Sequence, residues 1–290
     1  MKRIFLFLVT NAAVLLVLAV VLHLLTAFFG VDLRESVGDW KPILVWALIF
    51  GMAGSIVSLL LSKPMAKMSV GAKTITGSEG EAEAWLVRTV EELAQRANLK
   101  TPEVAIYHGS ANAFATGAFR NSALVAVSDG IMAQMTREEL RAVLGHEMSH
   151  VANGDMVTMC LLQGILNTFV LFASRVAASL LSQRGENRRG GGAAYYLVYY
   201  VCQFALSILA SVIAMWFSRH REYAADAGSA KLLGSPGPMI AALRRLGNLR
   251  PGVLPDSLKA FGISGKKTSL FATHPSLEDR IEALMKLTVF

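Results

Sequence analysis

The residues best suited to chemistry in this chain are two histidines four positions apart with a glutamate between them, in His146-Glu147-Met148-Ser149-His150. On a helix, positions i and i+4 project from one face a turn apart, so two neutral imidazoles can share one zinc ion from a rigid element. Glu147 lies about 100° around the helix from His146. There it can hydrogen-bond a water on the metal without ligating, and take its proton as the oxygen attacks a carbonyl.

A zinc site of this type needs a third protein ligand and leaves its fourth position to water. The longer signature with a third histidine six residues on is absent, because its glycine and histidine positions are Asn153 and Met156. The candidates elsewhere are His108, Asp155, His220, Glu222, Asp226 and His274, and Glu222 is the strongest. It stands in 218–226 (SRHREYAAD), which reads as the continuation of an apolar helix brought beside the one carrying the histidines. Asp226, one turn beyond Glu222 on the same face, suits a carboxylate gripping the free nitrogen of a zinc-bound imidazole.

The elements that position these residues follow from local pattern. Residues 136–139 (TREE) form a capping box that opens a helix through Leu140, Val143, Leu144, Met148 and Val151, and Asn153-Gly154 stops it. Upstream, 81–97 has helical spacing of apolar residues, and 104–107, 112–116 and 123–128 read as a three-stranded meander. The strand 112–116 can serve as an edge next to the metal, where Asn112, Ala113 and Phe114 would bind an extended substrate by backbone pairing. His274 precedes Pro275 and a helix opened by Ser276 with Asp279 at its third position, so a fixed turn could aim it at a developing oxyanion.

Composition places this apparatus in a membrane. With 53% hydrophobic and 17% charged residues in 290, and a mean hydropathy of +0.46, the chain is too apolar for an ordinary soluble enzyme. Its net charge of +7 is not interleaved with aromatic residues on an open polar face, which argues against nucleic acid. Cys160 and Cys202 both fall inside apolar runs and read as packing residues.

Four apolar runs, 4–29, 43–62, 156–181 and 194–217, reach the length of about 20 residues that a helix needs to cross a bilayer. The first exceeds a signal-peptide core and lacks an A-x-A site, so it is expected to stay as an anchor. Gln163, Asn167 and Thr168 in the third run are expected to face protein or a wet cavity, while Arg175 and His23 snorkel. Lys63, Lys67 and Lys73 after the second run, and Arg219, Arg221, Lys231, Arg244 and Arg245 after the fourth, put the polar segments in the cytosol by the positive-inside rule. The loop 184–189 is a mild exception, and a re-entrant hairpin for runs three and four stays open.

AIYH at 105–108, NAFATG at 112–117, HEMSHVANGD at 146–155, WFSRHRE at 216–222, DAGSAK at 226–231, THP at 273–275 and RIEAL at 280–284 together carry a resemblance over nearly the whole chain. It resembles the HtpX-like heat-shock membrane zinc metalloproteases, relatives of the CAAX prenyl proteases among the gluzincins. Departures are confined to 182–193 and 249–267, which bear on substrate preference rather than on the reaction. The resemblance implies one zinc ion per chain at His146, His150 and Glu222, Glu147 as catalytic base, and a multi-pass bacterial inner-membrane protein with a cytosolic site. Its substrates would be damaged, misassembled or unfolded proteins, in cooperation with other membrane quality-control proteases.

The expected fold is mainly α: four transmembrane helices and a cytosolic α+β zincin-like domain with a small β-sheet. It divides into a membrane hairpin (1–62), a first protease segment (63–155), a second membrane hairpin (156–217) and a second protease segment (218–290). The expected reaction is peptide-bond hydrolysis. A zinc hydrolase of a small amide or lipid would keep the site but need a closed apolar pocket, and a membrane scaffold or chaperone has no need of Glu147.

Overall fold

The computed structural model describes residues 39–182, 191–248 and 274–287. The first apolar run, with His23, lies outside them, as do 183–190 and all of 249–267. The chain divides into two compact units, Met1–Val57 with Cys160–Ala214, and Ser58–Met159 with Met215–Phe290.

Among the described residues, three helices are long and apolar enough to cross a membrane: α1 (Trp40–Val70), α5 (Asp155–Ser182) and α6 (Gly191–Leu233). In the first unit their outer faces expose Ile49, Phe50, Tyr196, Leu197 and Phe204, as a lipid-facing surface requires. Inside, Ala47, Phe172 and Val176 pack in one cluster, and Leu166, Val170, Ala210 and Ala214 in another. Thr168 is buried with its hydroxyl on the Gly164 carbonyl, while Asn167 reaches Ser55 and accepts from Gln163, which is exposed. The Arg175 guanidinium is held over the Trp46 ring at 3.7 Å, a cation–π contact that gives the charge a partner inside the unit.

The second unit is built on a four-stranded sheet ordered β1-β2-β4-β3, from β1 (Lys73–Ile75), β2 (Glu103–Tyr107), β3 (Ala113–Thr116) and β4 (Leu124–Ser128). This corrects the expected meander: β2 pairs with β4 in parallel, and β3 pairs only with β4, antiparallel. Residues 108–112 do not fold back as a hairpin, because Ser128 takes Asn112 on both sides. Its N–H donates to the Asn112 carbonyl and its Oγ accepts the Asn112 N–H, which seats β4 between the other two. All five β4 residues are buried, as expected of a central strand covered on both faces. β1 escaped the sequence reading because three residues, two of them exposed and polar, carry no period.

Around the sheet, α2 (Glu81–Arg96) buries Leu86, Val90 and Leu93, and α4 (Arg137–Asn153) buries every residue from Ala142 to Val151. The capping box forms, with Thr136 Oγ1 accepting from Glu139 N and Thr136 N donating to Glu139 Oε2. Gly154 ends the helix at φ 70°, a left-handed conformation that glycine adopts without a Cβ penalty. The unit is completed by the short α3 (Asp129–Gln134), by α7 (Gly237–Asn248), which adds Met239, Ala242, Leu243 and Leu246 to the core, and by α8 (Leu277–Met285), which adds Leu284. α6 runs unbroken from its apolar part through Glu222 and Asp226, as the helix-extension reading expects.

Candidate metal centre

α4 is buried along the whole turn that carries His146, Glu147 and His150, so their polar atoms must be satisfied inside the protein. The two rings stand perpendicular with their Nε2 atoms 3.1 Å apart. α6 brings in Glu222, whose Oε1 lies 3.3 Å from His150 Nε2 and whose Oε2 lies 3.4 Å from His146 Nε2. A tetrahedral zinc with ligands at about 2.0 to 2.2 Å sets its donor atoms about 3.4 Å apart; the separations here, 3.1 Å between the imidazoles and 3.3 and 3.4 Å from them to the two Glu222 oxygens, are close to that spacing.

The outer partners make the same point. His146 Nδ1 meets Asp226 Oδ1 at 2.8 Å, and His150 Nδ1 meets Asp155 Oδ2 at 2.6 Å. With both Nδ1 atoms donating to carboxylates, both Nε2 lone pairs face the triangle together with a carboxylate oxygen, an arrangement that calls for a cation. An arginine stands behind each aspartate. Fully buried Arg280 grips Asp226 through Nε (2.8 Å) and Nη2 (2.6 Å), and Arg221 Nη1 donates to the Asp155 backbone carbonyl at 3.2 Å.

Glu147 is 2% exposed, and burial pushes its carboxyl above the ordinary carboxylate range. Its Oε2 accepts the Ala115 N–H at 2.7 Å. The strand register explains this contact. Since Ser128 donates to Asn112, positions 112, 114 and 116 turn their backbone groups toward β4, and 113 and 115 turn theirs to the free edge. β3 is thus the edge strand by pairing, yet Ala113, Phe114, Ala115 and Thr116 are all buried, as is Asn112.

The other expected residues fall around this triangle. His274 is 8% exposed, with Nδ1 2.8 Å from Glu222 Oε2, an ion-pair contact outside hydrogen-bond alignment, while Nε2 has no hydrogen-bond partner among the described residues. His108 is exposed and pairs with Asp129, and His220 is exposed with Nδ1 3.1 Å from the Trp216 carbonyl; neither joins the cluster. Asp155 and Asp226 sit behind the histidines rather than at the triangle.

Arg280 and Arg221 are the residues that sequence reasoning missed. A signal for Arg280 was present: it occupies the apolar stripe of α8 between Leu277 and Leu284, where a cation needs a buried anion.

The sequence profile described as Peptidase family M48 matches residues 81–288, a span that takes in the whole triangle and its buttresses. The chain belongs to peptidase family M48. It is 53% identical to the "Protease HtpX homolog" of Janthinobacterium sp. (strain Marseille), over 99% of this chain and 100% of that protein. It is 52% identical to the protein of the same name from Herminiimonas arsenicoxydans, over 99% and 100%. The crystal structure of S. mikatae Ste24p matches 96% of this chain and 66% of its own with a TM-score of 0.61 and 20% identity, which shows a shared fold. As an M48 member with apolar helices of spanning length and a His-His-Glu cluster, the chain is a membrane metallopeptidase.

Proposed function

We propose that this M48 peptidase is a zinc-dependent endopeptidase that cleaves damaged or misassembled membrane proteins. The observation that carries the reading is the triangle of His146 Nε2, His150 Nε2 and a Glu222 carboxylate oxygen, with Glu147 on the same buried helix turn. One zinc ion per chain, held by those three residues, would supply the Lewis acidity that polarises a peptide carbonyl and acidifies water.

The chain's own groups do the rest. Glu147, its carboxyl raised by burial and its Oε2 oriented by the Ala115 N–H, takes the proton of the attacking water and passes it to the leaving amine. Asp226 and Asp155 keep the imidazoles in the ligating tautomer. His274, with Nδ1 against Glu222 and Nε2 without a hydrogen-bond partner among the described residues, donates to the oxyanion. At the β3 edge Asn112, Ala113 and Phe114 bind substrate, with the edge-facing backbone groups of Ala113 making the pairing, which tolerates many side chains once the buried edge is uncovered.

Four spans, with 63–155 and 218–290 forming one cytosolic protease domain beneath a bacterial inner membrane, complete the proposal; the lysines and arginines after the second and fourth runs support it. The relatives' name, "Protease HtpX homolog", supports a heat-shock quality-control role alongside other membrane proteases. Zinc stoichiometry on purified protein, paired with cleavage of an unfolded substrate, tests the reading. One zinc per chain with cleavage is expected, and metal-independent cleavage would sink it.

A further inference from the structure

The crossing of α4 and α6 is closer than ordinary side chains permit. A Cβ added to Gly228 on α6 would lie 2.5 Å from Ser149 Oγ and 2.8 Å from Ser149 Cβ on α4. A Cβ added to Gly145 on α4 would lie 2.8 Å from Ser229 Oγ on α6. The contacts are reciprocal: each helix presents a glycine to the other's serine. Ser149 Oγ donates to the Gly145 carbonyl and Ser229 Oγ to the Ala142 carbonyl, both at 2.7 Å, so each hydroxyl is satisfied inside the seam. Gly145 and Gly228 are not needed here for unusual backbone angles. They are needed because the partner helix occupies the space of a Cβ.

The seam is continuous with the metal triangle. Along α6, Glu222 faces His150, Asp226 faces His146 and Ser229 faces Ala142, so each step up α6 is matched by a similar step back down α4. The helices are antiparallel, and one separation governs both the seam and the distances at which Glu222 and Asp226 reach the histidines.

We infer that the two serine–glycine contacts, Ser149 with Gly228 and Ser229 with Gly145, are positioning residues that set the α4–α6 separation and through it the affinity of the metal triangle. The inference rests on the proposed zinc ligands. Ligand distances hold to about 0.2 Å, whereas relieving a 2.5 Å contact by moving a helix shifts Glu222 by several times that amount. A methyl group on a residue that touches no ligand should therefore loosen zinc.

The experiment uses the full-length protein in detergent, with zinc affinity from chelator competition, the visible spectrum of the Co2+ form, and thermal unfolding of the metal-free form. Gly228→Ala should weaken zinc by about 10- to 100-fold, the range for losing a group that orients a ligand, and should alter the Co2+ bands. Adding Ser149→Ala removes the Oγ contact alone and should restore part of the affinity. Adding Ser149→Gly removes both contacts and should bring affinity within a few-fold of wild type. Gly145→Ala with Ser229→Gly repeats the test from the other side.

If Gly228→Ala fails to fold, rescue of folding and zinc affinity by Ser149→Gly carries the test, and its failure overturns the inference. Lowered metal-free melting with unchanged zinc affinity and Co2+ spectrum also overturns it, because the seam would then serve stability alone. Glu222→Ala keeps the two levels apart. If it binds zinc like wild type, the ligand assignment fails; if it loses zinc while Gly228→Ala does not, only the seam fails.

Discussion

Arg280 and Asp226 form a two-pronged ion pair in which both nitrogens donate within 2.8 Å, and the Asp226 oxygen that accepts from Nη2 also faces His146 Nδ1. The arginine is fully buried and the aspartate nearly so, so neither charge can be left alone without a large desolvation penalty. Arg280→Lys keeps the charge but loses the planar fork. It is expected to weaken zinc binding by about 10- to 100-fold, as for other groups that orient a ligand. A chelator titration of the purified variant checks this, and wild-type affinity would show that Asp226 needs no such grip.

The base is separable from the metal. Since Glu147 takes a proton rather than ligating, Glu147→Gln should retain zinc and lose at least about 100-fold in turnover. Zinc content and peptide cleavage measured on the same sample decide it; equal activity removes Glu147 from the mechanism.

Glu222 and the two aspartates should differ in kind. Glu222→Ala leaves two imidazoles, too few for a stable site, and should lose metal and activity together. Asp226→Asn and Asp155→Asn keep shape and an acceptor, so their defects should be partial and should recover further in excess zinc. Activity across a zinc titration after dialysis distinguishes them. A full metal complement in Glu222→Ala would move the third ligand elsewhere.

Away from the centre, Glu103 accepts from Lys63, at 2.7 Å, and from Lys67 and Thr74. The Lys63 contact leads in pulling its carboxyl down to about 2. A depressed folded-state value adds stability above the unfolded value and loses it as pH falls toward the folded one. The stabilisation, screened by solvent at this surface site to about 1 kcal/mol or less, should hold above pH of about 4.5 and fade toward about 2. Melting of Glu103→Gln against wild type should differ at pH 7 and converge at the acid end. A gap that persists at the lowest pH would assign the effect to packing.

Topology is open to labelling. Glu138 is exposed on the first turn of α4, so Glu138→Cys, in a background with Cys160 and Cys202 replaced, offers a reactive thiol on the protease unit. An impermeant reagent should modify it only after the inner membrane is breached. Labelling in intact cells would invert the proposed orientation.

Much of this protein was written in local pattern. The i, i+4 histidines with Glu147, the capping box at Thr136, the stop at Gly154 and the unbroken run of α6 past Phe217 depend on neighbours within a few residues. Spacing, caps and hydropathy report such features without knowledge of the fold. Strand order did not follow from pattern, because residues 108–112 link β2 to β3 while Ser128 draws β4 between them, and that choice depends on contacts 16 residues apart. The place of Asp155 behind His150, the burial of Arg280 against Asp226 and the approach of Glu222 to two imidazoles more than 70 positions upstream were likewise decided by packing. A side chain's chemistry is local, but the low-dielectric neighbourhood that pairs one charge with another exists only once distant helices have closed around it.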